Sequence, residues 1–312
     1  MWTLKQAALA LAAEPRVKRG LTSDMAVELN EIASISHALV RDMDFRFLYH
    51  RRKKVLSIGY NLDTAKLDPS FYDLLASEAR IAVFIAIAKG DIPQEAWFHL
   101  GRAHTLARGE RVLLSWTGTM FEYLMPALWM RHHPGTITEQ TLHGVVRTQR
   151  DYASRKGVPW GISESACAGA LGGESGYAPF GIPALSLKRH ESETLVIAPY
   201  ASVLALMVKP RAALKNLRHM EEYGWSGRYS FYEAVDYSGR GAEVIRSWMA
   251  HHEGMALLAI CNLLFDNPMQ RYFHAEPQVL ATELLLHERL PTAVAAEAEA
   301  EVFVPDSIAA EA

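Results

Sequence analysis

Two glutamates stand in contexts where a carboxylate needs an explanation. Glu78, within Ser77-Glu78-Ala79-Arg80, falls in the most apolar helical stretch of the chain, just ahead of Ile81-Ala82-Val83-Phe84-Ile85. A buried carboxylate must be paired, hydrogen-bonded or placed in a polar cavity, because isolated burial of charge is costly. An ion pair with Arg80 or another arginine is the commoner outcome. The alternative is a general acid whose pKa is raised by apolar surroundings. Glu164 lies in Val158-Pro159-Trp160-Gly161-Ile162-Ser163-Glu164-Ser165, a carboxylate between two hydroxyls behind a tryptophan bracketed by proline and glycine. Trp160 can stack on a sugar face while Glu164 meets an anomeric carbon. The same residues also fit a capping turn with Ser163 as N-cap.

A third segment, Tyr229-Ser230-Phe231-Tyr232-Glu233-Ala234-Val235-Asp236-Tyr237, interleaves aromatics with two acids. Rings that cover pyranose faces and carboxylates that accept hydroxyl hydrogen bonds suit sugar recognition, and a buried tyrosine cluster is the competing reading. Trp116 to Tyr123 is a further aromatic and acidic junction, and Trp97, Phe98 and Arg102 fall close together. The histidine pairs His132-His133 and His251-His252 diverge on a helix, so they make poor zinc ligands. Gly172-Gly173 has no phosphate-loop context, and Cys167, near Glu164, reads as structural. No metal or cofactor is expected.

The elements that must carry these residues are mostly helical. Asp68-Pro69 suggests a cap and first-turn proline for one long helix from Phe71 to Gly90. Thr22-Ser23 opens a helix with Met25, Leu29, Ile32, Ile35 and Leu39 in helical period. Thr136–Gly157, Glu243–Leu264 and Glu276–Arg289 read as further helices, with shorter ones near Met120, Ser202 and Leu214. Strand signals are sparse: a hairpin from Phe45–Leu48 and Val55–Ile58, and a short piece at Leu195–Ile197. About ten helices against two or three strands define a mainly α class.

Composition sets the outer bounds. The chain has 312 residues, half of them apolar, and a formal charge of −3, which gives no electrostatic reason to seek nucleic acid or an anionic membrane. Two cysteines are too few for a disulfide framework or a structural zinc site, so a reducing compartment is the default. Leu4–Ala13 is too polar at its start for a signal peptide, and Ile81–Ala88 is far too short to span a bilayer. The expectation is a cytoplasmic protein without membrane insertion. The organisation expected is an N-terminal extension over 1–20, one domain over 21–290, and an Ala/Glu-rich linker-like tail over 291–312.

Taken together, the motifs resemble the transglycosylation (cyclising) domain of cyclic β-1,2-glucan synthases, of the glycoamylase-like family related to endo-β-1,2-glucanases. The resemblance is carried by Phe47-Leu48-Tyr49, Leu56-Ser57-Ile58-Gly59-Tyr60-Asn61, Tyr72 to Arg80, Ile87-Ala88-Lys89-Gly90-Asp91 and Ser115 to Pro126. It continues through Pro159 to Ser165, Leu187-Lys188-Arg189, Ala198-Pro199-Tyr200, Phe231 to Tyr237 and Met249 to Met255, covering about residues 40 to 290. It implies an (α/α) six-hairpin toroid, incomplete at its N-terminus, with a few short strands. The implied activity is retaining transglycosylation of linear β-1,2-glucan by cyclisation. Endo-β-1,2-glucanase hydrolysis and a non-catalytic glucan-binding fragment are the alternatives.

By motif, Glu164 would be the nucleophile and Glu78 the acid/base. The implied sugar contacts are Arg80, Trp97, Trp116, Glu122, Tyr123, Trp160, Ser163, Lys188, Arg189, Tyr200, Tyr232, Glu233, Asp236, His251 and His252. After Ala166 this sequence departs from the family pattern, leaving Tyr177 and Phe180 as the stacking rings there. The partners implied are the β-1,2-glucan polymer and other domains of a membrane-bound synthase, at the cytosolic face of the inner membrane.

Overall fold

The computed structural model describes residues 23–168, 176–188 and 194–289, with residues 5–6, 9–10 and 13 ahead of them. From residue 23 onward the described chain forms ten α-helices and twelve strands of two to four residues. The helices are α1 (Ser23–Asp42), α2 (Arg80–Ala88), α3 (Glu95–Phe98), α4 (Met120–Leu124), α5 (Ile137–Lys156), α6 (Pro199–Leu204), α7 (Pro210–Glu222), α8 (Ala250–Leu264), α9 (Pro268–His274) and α10 (Pro277–Thr282). The strands pair antiparallel into small ribbons at the helix ends, so more strand is present than the two or three expected. Most are too short to carry an alternation that a sequence pattern could register.

α5 shows how local sequence sets an element. The Thr136 hydroxyl accepts from the Glu139 amide at its start, and Gly157 at φ 70° closes it behind Arg155 and Lys156. Both ends therefore satisfy orphan backbone groups, with cations at the negative end of the dipole.

Three helix boundaries differ from expectation. The stretch from Phe71 to Gly90 is not one helix: Phe71–Tyr72 form strand β5 against β2 (Val55–Ser57), and α2 begins only at Arg80. Asp68 does not cap a helix; its carboxylate accepts from the Ser70 amide at 2.8 Å and turns the chain over Pro69 into that strand. Glu243–Ile245 is likewise strand β12, paired with β11 (Ala234–Asp236), so the helix there starts at Ala250. Past Thr282 the last helix tightens into a 3₁₀ turn, Glu283–His287. The expected N-terminal hairpin exists in a shifted register, with Tyr49–His50 on Val55–Leu56 and a 3₁₀ turn at Arg46–Leu48. The strand at Val196–Ile197 (β10) is where the sequence suggests.

One continuous core runs through Phe84, Leu124, Leu128, Val145, Val146, Ile197, Ala201, Leu204 and Val235. α8 packs on α6, and α5 covers the hairpin of β6 (His104–Ala107) and β7 (Glu110–Leu113). In α1 the buried side chains are Ala33, Ser36 and Val40, whereas Met25, Ile32, Ile35 and Leu39 are 42–52% exposed. The larger apolar residues of that helix thus face away from the core of the described chain. No helix among the described residues is long and apolar enough to cross a membrane.

Candidate active site

Glu78 lies in the turn that delivers the chain from β5 into α2. The Ser77 hydroxyl accepts from the Ala79 amide at 3.1 Å and donates to the Glu78 carboxylate at 3.2 Å, fixing the side chain at the helix start. Arg80, the suspected ion-pair partner, is buried, and its guanidinium donates to the Tyr123 carbonyl at 3.3 Å. Its charge is only the last of the influences on Glu78. Burial comes first and raises the Glu78 pKa, with repulsion from Glu122 adding to it.

Glu164 is held from both sides. Gly161, at φ 132°, lets the backbone pass against Ser202 and the Ala198 carbonyl. Ser163 is fully buried, and its hydroxyl accepts from the Phe121 amide at 3.0 Å and bonds the Tyr200 hydroxyl at 2.9 Å. Tyr200 in turn donates to the Glu164 carbonyl at 3.0 Å. Beyond Glu164, strand β8 (Ser165–Ala166) pairs with β9 (Tyr177–Ala178), and the Ala166 amide donates to Glu233 at 3.3 Å. The Tyr177 hydroxyl neighbours the Glu164 carboxyl and acts on it as a donor, against the upward pull of burial. The Glu164 pKa is raised to about 7, first by burial, then by the charges of Glu78 and Glu122. Two glutamates far apart in the chain therefore share one electrostatic field.

Glu122 organises the floor between them. Its two oxygens accept from the Ser115 hydroxyl (2.8 Å), the Thr117 amide and hydroxyl (3.0 and 2.8 Å) and the Thr119 amide and hydroxyl (2.8 and 3.1 Å). Thr119 reciprocates by accepting from the Glu122 amide, a capping box that starts α4. With both oxygens so engaged, Glu122 shapes the Ser115–Thr119 loop instead of meeting a sugar. Gly118, at φ 76°, leaves room for the Ile182 carbonyl, which a Cβ would approach to 2.6 Å.

A second polar layer lies behind Glu164. The His252 Nδ1 faces both Glu233 oxygens at 2.9 and 3.1 Å, and its Nε2 lies 3.4 Å from the Tyr177 hydroxyl. The imidazole stacks on Tyr200, with centroids 3.8 Å apart and planes 12° apart. Asp236 accepts from the Ala168 and Ser238 amides at 3.0 and 2.8 Å, fixing the chain that follows Glu164.

The other expected sugar contacts divide by burial. Trp97 and Tyr123 are at most 2% exposed; Trp97 packs against Phe84, and the Tyr123 hydroxyl accepts from the Ser115 amide. These two rings, and buried Phe180, are packing elements with no free face to offer. Glu233 and His252 are buried as well, so they reach the site only through Tyr177, Tyr200 and the Ala166 amide. Trp116 is exposed at the rim, its indole donating to Asp73 at 3.2 Å, and Lys188 follows along the same edge. Tyr232 is half-buried against Trp248 and Arg246, and His251 is exposed beside His252. Arg189 lies outside the described residues.

Trp160 is buried, its amide donating to Asn216, and it lines a separate cleft of about 870 Å³ with Arg150, Arg211 and Arg218. That cleft contains neither Glu78 nor Glu164, so volume and chemistry point to different places; the paired carboxylates define the candidate site. The hydroxyls of Ser77, Ser115, Thr117 and Thr119 are site residues that lie outside the candidates the sequence offers. Only the Thr119-x-x-Glu122 spacing carried a signal, that of the capping box. Among the described residues no cluster of three or more metal-ligating side chains occurs.

Comparison with known proteins places this arrangement. The Glycoamylase family model matches residues 70–277, and the chain belongs to that family. Cyclic beta-(1,2)-glucan synthase NdvB of Rhizobium meliloti (strain 1021) is 45% identical over 257 residues, 80% of this chain. The chain spans only 9% of that relative's length. Among solved structures, the endo-beta-1,2-glucanase from Chitinophaga pinensis superposes with a TM-score of 0.63 at 16% identity, covering 92% of this chain and 68% of that one. The beta-1,2-glucanase from Parabacteroides distasonis gives 0.69 at 14% identity, covering 92% and 44%. The fold is that of these (α/α) toroids.

Proposed function

We propose that the chain is a glycan transglycosylase that retains anomeric configuration and acts on linear β-1,2-glucan. What carries the reading is the convergence of Glu78 and Glu164: both are half-buried with raised pKa, and the Glu78 charge adds to the rise at Glu164. A retaining mechanism uses two carboxyls roughly 5–5.5 Å apart, one attacking the anomeric carbon and one delivering and recovering the leaving-group proton. Glu164 takes the attacking role: its backbone is pinned on both sides, and the Tyr177 hydroxyl steadies its carboxylate. Glu78, the half-buried member of an otherwise buried turn, serves as acid and then base. The 45% identity to a cyclic β-1,2-glucan synthase supports the substrate class and favours transfer to the polymer's own end over hydrolysis. We further propose that the chain works alongside other domains of a membrane-bound synthase, on the cytosolic side.

Incubation with linear β-1,2-glucan tests this. Cyclic products that resist exo-acting enzymes support transfer. Short linear oligosaccharides would make the chain an endo-β-1,2-glucanase, and binding without turnover would make it a glucan-binding module.

A further inference from the structure

Glu164 presents a difficulty for the role just given to it. Its pKa of about 7 leaves a proton on the carboxyl through much of the neutral range, whereas attack on an anomeric carbon needs the carboxylate. The buried layer behind it supplies somewhere for that proton to go.

The Tyr177 hydroxyl owns one hydrogen and two neighbours, the Glu164 carboxyl on one side and the His252 Nε2 on the other. The His252 Nδ1 faces both oxygens of Glu233, so that nitrogen carries a hydrogen in every protonation state. With one proton shared between Glu164 and His252, two arrangements satisfy all the donors. In one, protonated Glu164 donates to the Tyr177 oxygen, and Tyr177 donates to the bare Nε2 of a neutral imidazole. In the other, an imidazolium donates from Nε2 to the Tyr177 oxygen, and Tyr177 donates to an ionised Glu164. Both hold the same number of protons. They interconvert when Glu164 passes its proton to the Tyr177 oxygen as Tyr177 passes its own to His252.

We propose that Tyr177 and His252, backed by Glu233, form a proton relay that unloads Glu164 for attack and keeps the proton inside the protein while Glu164 is esterified. The inference rests on Glu164 being the attacking carboxylate. The layer is built for such a task. His252 is 1% exposed, so its proton is kept from bulk water, and the Tyr200 ring against its face fixes its orientation. Glu233 balances the imidazolium charge and is itself tied to the nucleophile strand by the Ala166 amide. The remaining titratable neighbours of His252 are His251, whose ring centroid lies 4.0 Å away, and Glu253. Desolvated but internally compensated, the pair avoids the cost of charging one buried group alone.

The test is the pH dependence of enzyme glycosylation, followed as a pre-steady-state burst with β-sophorosyl fluoride, a donor whose leaving group needs no acid. Tyr177→Phe keeps the ring and breaks the relay; His252→Gln keeps a hydrogen bond to Glu233 and leaves the Tyr177–Glu164 contact in place. The relay predicts that each slows glycosylation by about 100-fold and moves the acidic limb up by roughly one pH unit, with KM nearly unchanged. The double variant should be no worse than either single one. Glu233→Gln, which preserves shape, should shift the limb in the same direction and serves if His252→Gln misfolds. An unshifted limb in His252→Gln, or in Glu233→Gln if His252→Gln misfolds, overturns the relay even if Tyr177→Phe is slow, since Tyr177 would then act only as a local donor. Full glycosylation in Glu164→Gln is a different result: it removes the nucleophile assignment itself, and the relay with it.

Discussion

The His252 imidazole lies flat on the Tyr200 ring, 3.8 Å between centroids, and the hydroxyl of that same tyrosine donates to the Glu164 carbonyl. A histidine on α8 and a tyrosine on α6 thus hold the strand that presents the candidate nucleophile. Glu233 and His252, expected to touch sugar, are buried in this layer.

Tyr200→Phe isolates the hydroxyl's share of that support. The stack on His252 survives, while the bonds to Ser163 and to the Glu164 carbonyl vanish. The expected loss is about 1–2 kcal/mol of stability. Turnover should fall through kcat more than through KM, because the displaced group is the proposed nucleophile. Chemical denaturation and steady-state kinetics read the two effects separately.

Glu122→Gln replaces an acceptor that serves five donors with an amide that must turn an N–H toward some of them. A loss of roughly 2–3 kcal/mol is expected, since buried donors are left unmet. Removing the charge also removes part of the repulsion on Glu164, so the pKa of Glu164 should fall. Thermal melts and a pH–rate profile check both; a stable variant with an unmoved profile would contradict the floor role.

The Glu164 pKa makes stability depend on pH in a definite direction. Folding raises it from 4.5 to about 7, so between those values the native state binds more protons than the unfolded chain. Stability contributed by the protonated form is complete below about pH 4.5 and is lost as pH rises through 7. At 1.36 kcal/mol per unit the full difference is of order 3 kcal/mol. Glu164→Gln should therefore be more stable than the parent at pH 8 and much less so at pH 4.5, which denaturant titrations at the two pH values would reveal.

Gly118→Ala tests the loop that Glu122 holds. The position combines φ 76° with an Ile182 carbonyl 2.6 Å from where a Cβ would sit. Backbone strain and the clash together should cost about 2–3 kcal/mol and displace Trp116 at the rim. A melt unchanged from the parent would mean that the loop relaxes freely.

Much of this was legible in the sequence, for identifiable reasons. α5 could be read directly because Thr136, Gly157 and a sustained apolar period agree. Glu78 and Glu164 stood out because each is a carboxylate among apolar or small neighbours. The Phe71–Gly90 stretch misled because an Asx turn at Asp68 and a helix cap use the same residue types, and strand pairing with Leu56 decided between them. The α1 pattern misled differently: periodicity identifies a helix, but the contact through Ala33, Ser36 and Val40 selected the face of smaller side chains. The His252–Glu233–Tyr177 layer was beyond reach because its members come from three separate elements, and nothing local encodes their meeting. Trp97, Tyr123 and Phe180 show the same limit, since an aromatic near an acid reads alike whether it lines a cleft or fills a core.

The most direct test of the paired-carboxylate account is to load Glu78→Gln with β-sophorosyl fluoride and map any covalent adduct by peptide mass spectrometry. Without its acid/base residue the enzyme should still be glycosylated by this activated donor but should release the sugar slowly, so a disaccharide ester accumulates on Glu164. An adduct on another residue, or rapid release of an α-configured product with no adduct, would contradict it.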